Sequence, residues 1–201
     1  MNIPNILTLL RILLIPVFVG VFYLPWGWAN ELTTLVFALA AITDWFDGYL
    51  ARRWNQTSAF GAFLDPVADK LIVAVALVFL VQITPTPWMA IPAAIIIGRE
   101  ITISALREWM AEIGQRAKVA VSMVGKIKTT AQMMALLMLL LAGSDHELLF
   151  GLPLYEIGFV SLYIAAILTL WSMIVYLQAA APILLEENKK EEKKEKKMTK
   201  Q

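Results

Sequence analysis

Asp44-Trp-Phe-Asp47-Gly48-Tyr-Leu-Ala51-Arg52 is followed, after eight residues, by Gly61-Ala-Phe-Leu-Asp65-Pro-Val-Ala-Asp69. Four carboxylates thus stand inside two apolar segments, where a charge is costly and marks a functional site. Asp44 and Asp47 are three apart and Asp65 and Asp69 four apart, so each pair shares one face of a helix. If the segments form a hairpin turning between Arg52 and Gly61, facing residues have nearly constant index sums. The pairs 44/69 and 47/65 sum to 113 and 112, which brings the four carboxylates to the same depth. Asp44 and Asp69 then lie about 12 Å from the turn, at a rise of about 1.5 Å per residue.

Four carboxylates converging in a partly dehydrated site repel one another unless cations hold them. Oxygen-only ligands suit hard divalent ions, Mg²⁺ or Mn²⁺, and the spacing leads us to expect two ions held by Asp44, Asp47, Asp65 and Asp69. Zinc is not expected, because there is no cysteine and His146 is the single histidine. Gly48, Ala51 and Gly61 are small enough for a ligand to lie against the helix backbone, and Arg52 offers a bidentate donor to phosphate. Together these residues read as a cradle for a diphosphate and its metal ions.

The rest of the chain says where that cradle sits. At 201 residues, 59% hydrophobic and with a mean hydropathy of +0.69, the chain is too apolar for an ordinary soluble domain. The absence of cysteine excludes disulfides and thiol catalysis. Six segments of about 20 residues, the length that spans about 30 Å of hydrocarbon, follow in order: 6–23, 31–54, 61–81, 88–110, 119–142 and 155–181. The first lacks a positive flank before it and a small-residue cleavage site after it, so it is expected to be a retained helix rather than a signal peptide. The expected fold class is an all-α integral membrane protein of six transmembrane helices.

Orientation follows from charge. The stretches 24–30, 82–87 and 143–154 contain no Lys or Arg, and all seventeen basic residues fall on the other side or in the helix ends leading to it. The positive-inside rule then puts both termini and the acidic site on the cytoplasmic side. Residues 1–181 form one membrane domain. The stretch 182–201, dominated by Lys and Glu from Glu186 on, is expected as a charged cytoplasmic tail, disordered or a frayed helical extension. His146, in the polar run 143–147 on the far side, reads as an exposed loop residue, and the nine methionines read as packing.

The pattern Asp-x-x-Asp-Gly-x-x-Ala-Arg, eight residues, then Gly-x-x-x-Asp-x-x-x-Asp is similar at every position to the signature of the CDP-alcohol phosphatidyltransferase family. The resemblance implies an enzyme that takes a CDP-linked lipid, lets an alcohol attack the phosphorus on the lipid side of the pyrophosphate, and releases CMP. It implies that Asp44, Asp47 and Asp65 are metal ligands, that Asp69 is the general base as well as a ligand, and that Gly48, Ala51, Arg52 and Gly61 contact the CDP-lipid. It also implies a homodimer.

The acceptor must be argued from other residues. A glycerol phosphate is a dianion and needs cations beyond those on the diphosphate. Arg99 and Arg107 in the fourth segment and Lys126 and Lys128 in the fifth are available on the cytoplasmic half. Arg11 completes the set, with Thr8 three residues away on the same face and counted with the CDP-lipid. Glu100 beside Arg99 reads as an ion pair that holds the arginine. The stretches 2–11, 98–110 and 125–133 resemble bacterial members of the family that join CDP-diacylglycerol to glycerol 3-phosphate, which places the chain in the bacterial inner membrane and in anionic phospholipid synthesis. The alternatives are the same chemistry on serine, inositol phosphate or phosphatidylglycerol, and an ion transporter. A transporter would spread acidic residues over both halves of the membrane, whereas here all four lie on one side.

Overall fold

Six α-helices follow one another in a computed structural model that describes residues 3–54, 59–114, 123–143 and 151–198. Within these, the side chains of residues 3–7, 45, 47–54, 59–63, 65, 123–126 and 184–198 fall outside the description. The helices are α1 (Ile3–Phe22), α2 (Ala29–Trp54), α3 (Ala59–Ile83), α4 (Pro87–Glu112), α5 (Met123–Ala142) and α6 (Leu154–Met198). The helices follow the six apolar segments in order, residues 119–122 of the fifth lying outside the described residues, and α6 carries its helix on through the Lys/Glu stretch. Among the described residues, three helices contain runs long and apolar enough to cross a membrane: Pro66–Ile83, Pro87–Glu112 and Leu154–Ile183. Thr8–Phe22 and Ile127–Ala142 form shorter apolar helical runs.

The helix ends follow from local chemistry. Thr86 caps α4 with its hydroxyl accepting from the Met89 N–H at 3.3 Å, and Pro87 takes the first helical position, where no N–H is needed. α5 stops at Gly143, whose φ of +62° suits glycine and whose N–H bonds to the Leu139 carbonyl at 3.0 Å. A Cβ there would also fall 2.3 Å from Nδ2 of Asn30, so the end of α5 lies against the start of α2.

α1 is held between α2 and α3 by aromatic packing at the end remote from the acidic motif. Phe18 packs on Phe37 and Phe79, Phe22 stacks on Phe79 with centroids 3.8 Å apart, and Tyr23 donates to Gln82 Oε1 at 2.8 Å. This fixes the register. α1 and α2 are antiparallel, and the pairs 18/37 and 11/44 share one index sum. α1 and α3 are parallel, and Phe22 with Phe79 has nearly the same separation as Arg11 with Asp69, which are 58 apart. Seating the aromatics therefore delivers Arg11 to Asp44 and Asp69, roughly 16 Å away along the bundle.

α6 packs most extensively on α5, through small residues that let the two backbones approach. Ala165, Ala166 and Thr169 are buried on its inner face, and a Cβ at Gly158 would lie 2.9 Å from Leu139 Cγ and 3.0 Å from Met138 Cβ. Leu at position 158 is therefore expected to push α6 off α5 and to lower stability by about 1–3 kcal/mol, the usual cost of overpacking. Thermal unfolding in detergent would register this as a lower midpoint, and an unchanged midpoint would contradict the close approach.

Candidate active site

The acidic motif occupies the facing parts of α2 and α3, and α1 supplies its cation. Arg11 is 1% exposed, and its Nη1 forms an ion pair with Asp44 Oδ1 at 3.0 Å and donates to Asp69 Oδ1. The two carboxylates meet on one nitrogen, which is the depth match expected from the hairpin register. They differ from Arg11 in exposure, at 43% and 42%, so the guanidinium lies beneath them and their outer sides open away from the bundle. A buried cation under two open carboxylates offsets part of their mutual repulsion and leaves them able to face a ligand. Thr8, one turn from Arg11 on α1, is buried as well.

Asp47, Gly48, Ala51 and Arg52 fall on α2 and Gly61 and Asp65 on α3, with side chains outside the described residues. Among the described residues no three acidic side chains gather into a cation site. The donors that are described, two converging carboxylates with no nitrogen or sulfur ligand beside them, have the chemistry that suits Mg²⁺ or Mn²⁺.

A second group of charges lies where α4, α5 and α6 meet. Glu100 Oε1 accepts from Arg99 Nη1 at 2.6 Å and from Lys128 Nζ at 2.8 Å. Lys128 is 3% exposed and Arg99 is 10% exposed, so this carboxylate holds two cations that would otherwise be buried without a counter-charge. The Arg99–Glu100 pair expected from sequence is present, and Lys128 joins it from α5. Arg99 also donates from Nη2 to Ser172 Oγ on α6 at 3.2 Å, while its Nε is buried with no hydrogen-bond partner among the described residues. One further turn along α6, Tyr176 accepts from Arg107 Nη2 at 2.9 Å. Its ring lies 5.1 Å from the Arg107 guanidinium carbon and 6.0 Å from that of Arg99.

The helices that carry the two groups meet at α3 and α4. Lys70, next to Asp69, donates to Ser104 Oγ on α4, and the Ser104 hydroxyl donates to the Glu100 carbonyl at 2.5 Å. Of the five cations expected around an acceptor phosphate, the structure brings Arg99, Arg107 and Lys128 together. The described bonds of Arg11 go to the acidic motif instead, and the Lys126 side chain is outside the described residues. Sequence reasoning missed Ser172, Tyr176 and the contact of Lys70 with Ser104. Ser172 and Tyr176 were detectable as polar groups four apart on one face of an otherwise apolar helix.

A family model described as CDP-alcohol phosphatidyltransferase matches residues 1–174. A protein of Pectobacterium atrosepticum named CDP-diacylglycerol--glycerol-3-phosphate 3-phosphatidyltransferase is 60% identical over 185 residues, covering 92% of this chain and 98% of that one. Proteins of the same name from Sodalis glossinidius and Salmonella paratyphi A are 58% and 56% identical over 186 residues, with the same two coverages.

Proposed function

Because the chain belongs to the CDP-alcohol phosphatidyltransferase family, we propose that it transfers the phosphatidyl group of CDP-diacylglycerol to sn-glycerol 3-phosphate, giving phosphatidylglycerophosphate and CMP. The observation that carries the reading is the pairing of two sites. Carboxylates of the family motif converge on α2 and α3, a cluster of three cations stands on α4 and α5, and the neighbouring Lys70–Ser104 contact brings α3 against α4 between them. Relatives named for this reaction cover nearly the whole chain and support the choice of acceptor.

In this reading Asp44, Asp47, Asp65 and Asp69 hold two divalent ions, Mg²⁺ or Mn²⁺. When bound, these ions neutralise the pyrophosphate and stabilise the charge that builds on the departing phosphate. Gly48, Ala51, Gly61, Arg52 and Thr8 seat the CDP-lipid. Arg99, Arg107, Lys126 and Lys128 hold the phosphate of the acceptor, and Arg11 braces the carboxylates between the two substrates. The acceptor hydroxyl oxygen forms a bond to the lipid-side phosphorus as its proton passes to Asp69. The bond from that phosphorus to the bridging oxygen breaks, and its electron pair leaves with CMP. Holding both reactants in line beside this carboxylate would supply the positioning on which phosphoryl transfer depends. The six helices span the bacterial inner membrane with both termini and the site at the cytoplasmic face, and the protein works as a homodimer.

The test is CMP release by the purified protein in detergent, with CDP-diacylglycerol, Mg²⁺ and one acceptor at a time. Release is expected with glycerol 3-phosphate, is expected to stop with excess EDTA and to return with excess Mg²⁺. Release with serine, inositol phosphate or phosphatidylglycerol in its place would contradict the assignment of the cations on α4 and α5.

A further inference from the structure

α6 is apolar along its membrane-length run, yet two of its side chains turn polar groups onto the arginines of α4. Those arginines are unlike one another. Arg99 is nine-tenths buried and is already fixed by Glu100 and Ser172. Arg107, eight residues further along α4 and about 12 Å nearer the helix end, is exposed and has no carboxylate partner among the described residues. An exposed arginine ordinarily samples many rotamers and loses that freedom when it binds a ligand. Tyr176 removes much of this cost in advance. Its hydroxyl accepts one Nη2 proton, its ring faces the guanidinium carbon at 5.1 Å, and the same ring faces Arg99 at 6.0 Å. One phenol therefore touches both an outer and an inner guanidinium, and the Arg99 Nε has no hydrogen-bond partner among the described residues.

We propose that Tyr176 is a positioning residue for the acceptor: it holds Arg107 and Arg99 as a preformed pair for the phosphate dianion of the small alcohol. The inference rests on the reading of these arginines as the acceptor pocket and extends that pocket from α4 and α5 to α6. Charge supports the match. Arg99, Arg107 and Lys128 against Glu100 leave two net positive charges, the complement of a phosphate dianion.

The test is steady-state kinetics of Tyr176→Phe and Tyr176→Leu, varying each substrate in turn. Tyr176→Phe keeps the ring and loses the hydrogen bond, and is expected to raise KM for glycerol 3-phosphate about fivefold. Tyr176→Leu loses the ring as well and is expected to raise it several-fold further. In both, kcat and the KM for CDP-diacylglycerol are expected to stay within about twofold of the parent. A tie that merely fastens α6 to α4 would lower the thermal midpoint and leave both KM values alone, and that result overturns the proposal. So does a change confined to the CDP-lipid. Should Tyr176→Leu fail to fold, the nearly isosteric Tyr176→Phe still decides. A parent protein that ignores glycerol 3-phosphate would overturn the acceptor reading itself and this proposal with it, whereas a competent parent with unmoved Tyr176 variants would overturn this proposal alone.

Discussion

Asp69→Asn is expected to lower the rate of CMP release by about 10²–10⁴-fold, the range in which a positioned general base contributes, while binding of the CDP-lipid is largely retained. The amide keeps the size of the side chain and an oxygen that can still accept from Arg11 Nη1, so the brace between α1, α2 and α3 survives. On the proposed reading it would lose the capacity to take a proton from the acceptor hydroxyl, together with one of the negative charges that would attract a divalent ion. The two losses separate experimentally. Raising Mg²⁺ would restore an activity lost through weakened ion binding, and would leave untouched an activity lost through the missing base. Normal turnover in this variant would remove Asp69 from the chemistry altogether. Binding is read directly by titrating the variant with CDP-diacylglycerol in the presence of Mg²⁺.

Arg99→Ala is the second large effect, and it falls on the other substrate. Arg99 is the most enclosed guanidinium of the cation cluster, and its buried Nε is still without a hydrogen-bond partner among the described residues. Removing it leaves Glu100 paired with Lys128 at 2.8 Å, so no charge is stranded in the bundle and the variant should fold. A lost charge-assisted contact to the acceptor phosphate is worth about 1.5–3 kcal/mol, which corresponds to a rise of roughly 10- to 150-fold in KM for glycerol 3-phosphate. The KM for CDP-diacylglycerol is expected to stay within about threefold. An effect on the CDP-lipid alone would mean that these cations serve the diphosphate. Lys128→Ala makes a useful companion, since it leaves the Arg99–Glu100 pair intact and tests the same pocket from α5.

The number and order of the helices were legible because apolar length, Pro and Gly punctuation and the absence of basic residues from alternate loops all agree. The Thr86-Pro87 start of α4 and the Gly143 stop of α5 are chemical signals that need no tertiary information. The approach of Asp44 to Asp69 was legible for a different reason. Two antiparallel helices joined by a short turn have only one register in which four acidic residues share a depth, so local spacing determined a long-range contact. Arg11 shows where this kind of reasoning ends. Its inward face could be read from Thr8 three residues before it, but which helix it would meet depends on the seating of Phe18 and Phe22 against Phe37 and Phe79, a packing choice that helical periodicity does not encode. Expected among the acceptor cations, it is bonded to the acidic motif.

Tyr176 and Ser172 were hidden for a related reason. In a span dominated by apolar residues a single phenol reads as an interfacial aromatic, and its role emerges only when the arginines of α4 are seen against it. Lys70, the neighbour of Asp69 in sequence, reaches across to Ser104 on α4. These contacts run between helices, α3 with α4 and α4 with α6, and so they are not encoded in the spacing within any one segment. On the proposed reading the motif announces the transfer chemistry, while discrimination among acceptors would rest on tertiary contacts of α4, α5 and α6.

The most direct test of the central claim follows the acceptor itself. Purified protein in detergent is given CDP-diacylglycerol, Mg²⁺ and glycerol 3-phosphate labelled in its carbon skeleton, and the label partitioned into organic solvent is counted beside the CMP released. Label is expected to enter the lipid phase one for one with CMP, in a product that carries two phosphates. Label that stays in the aqueous phase while CMP is released would contradict it, because the phosphatidyl group would then have gone to water or to another acceptor.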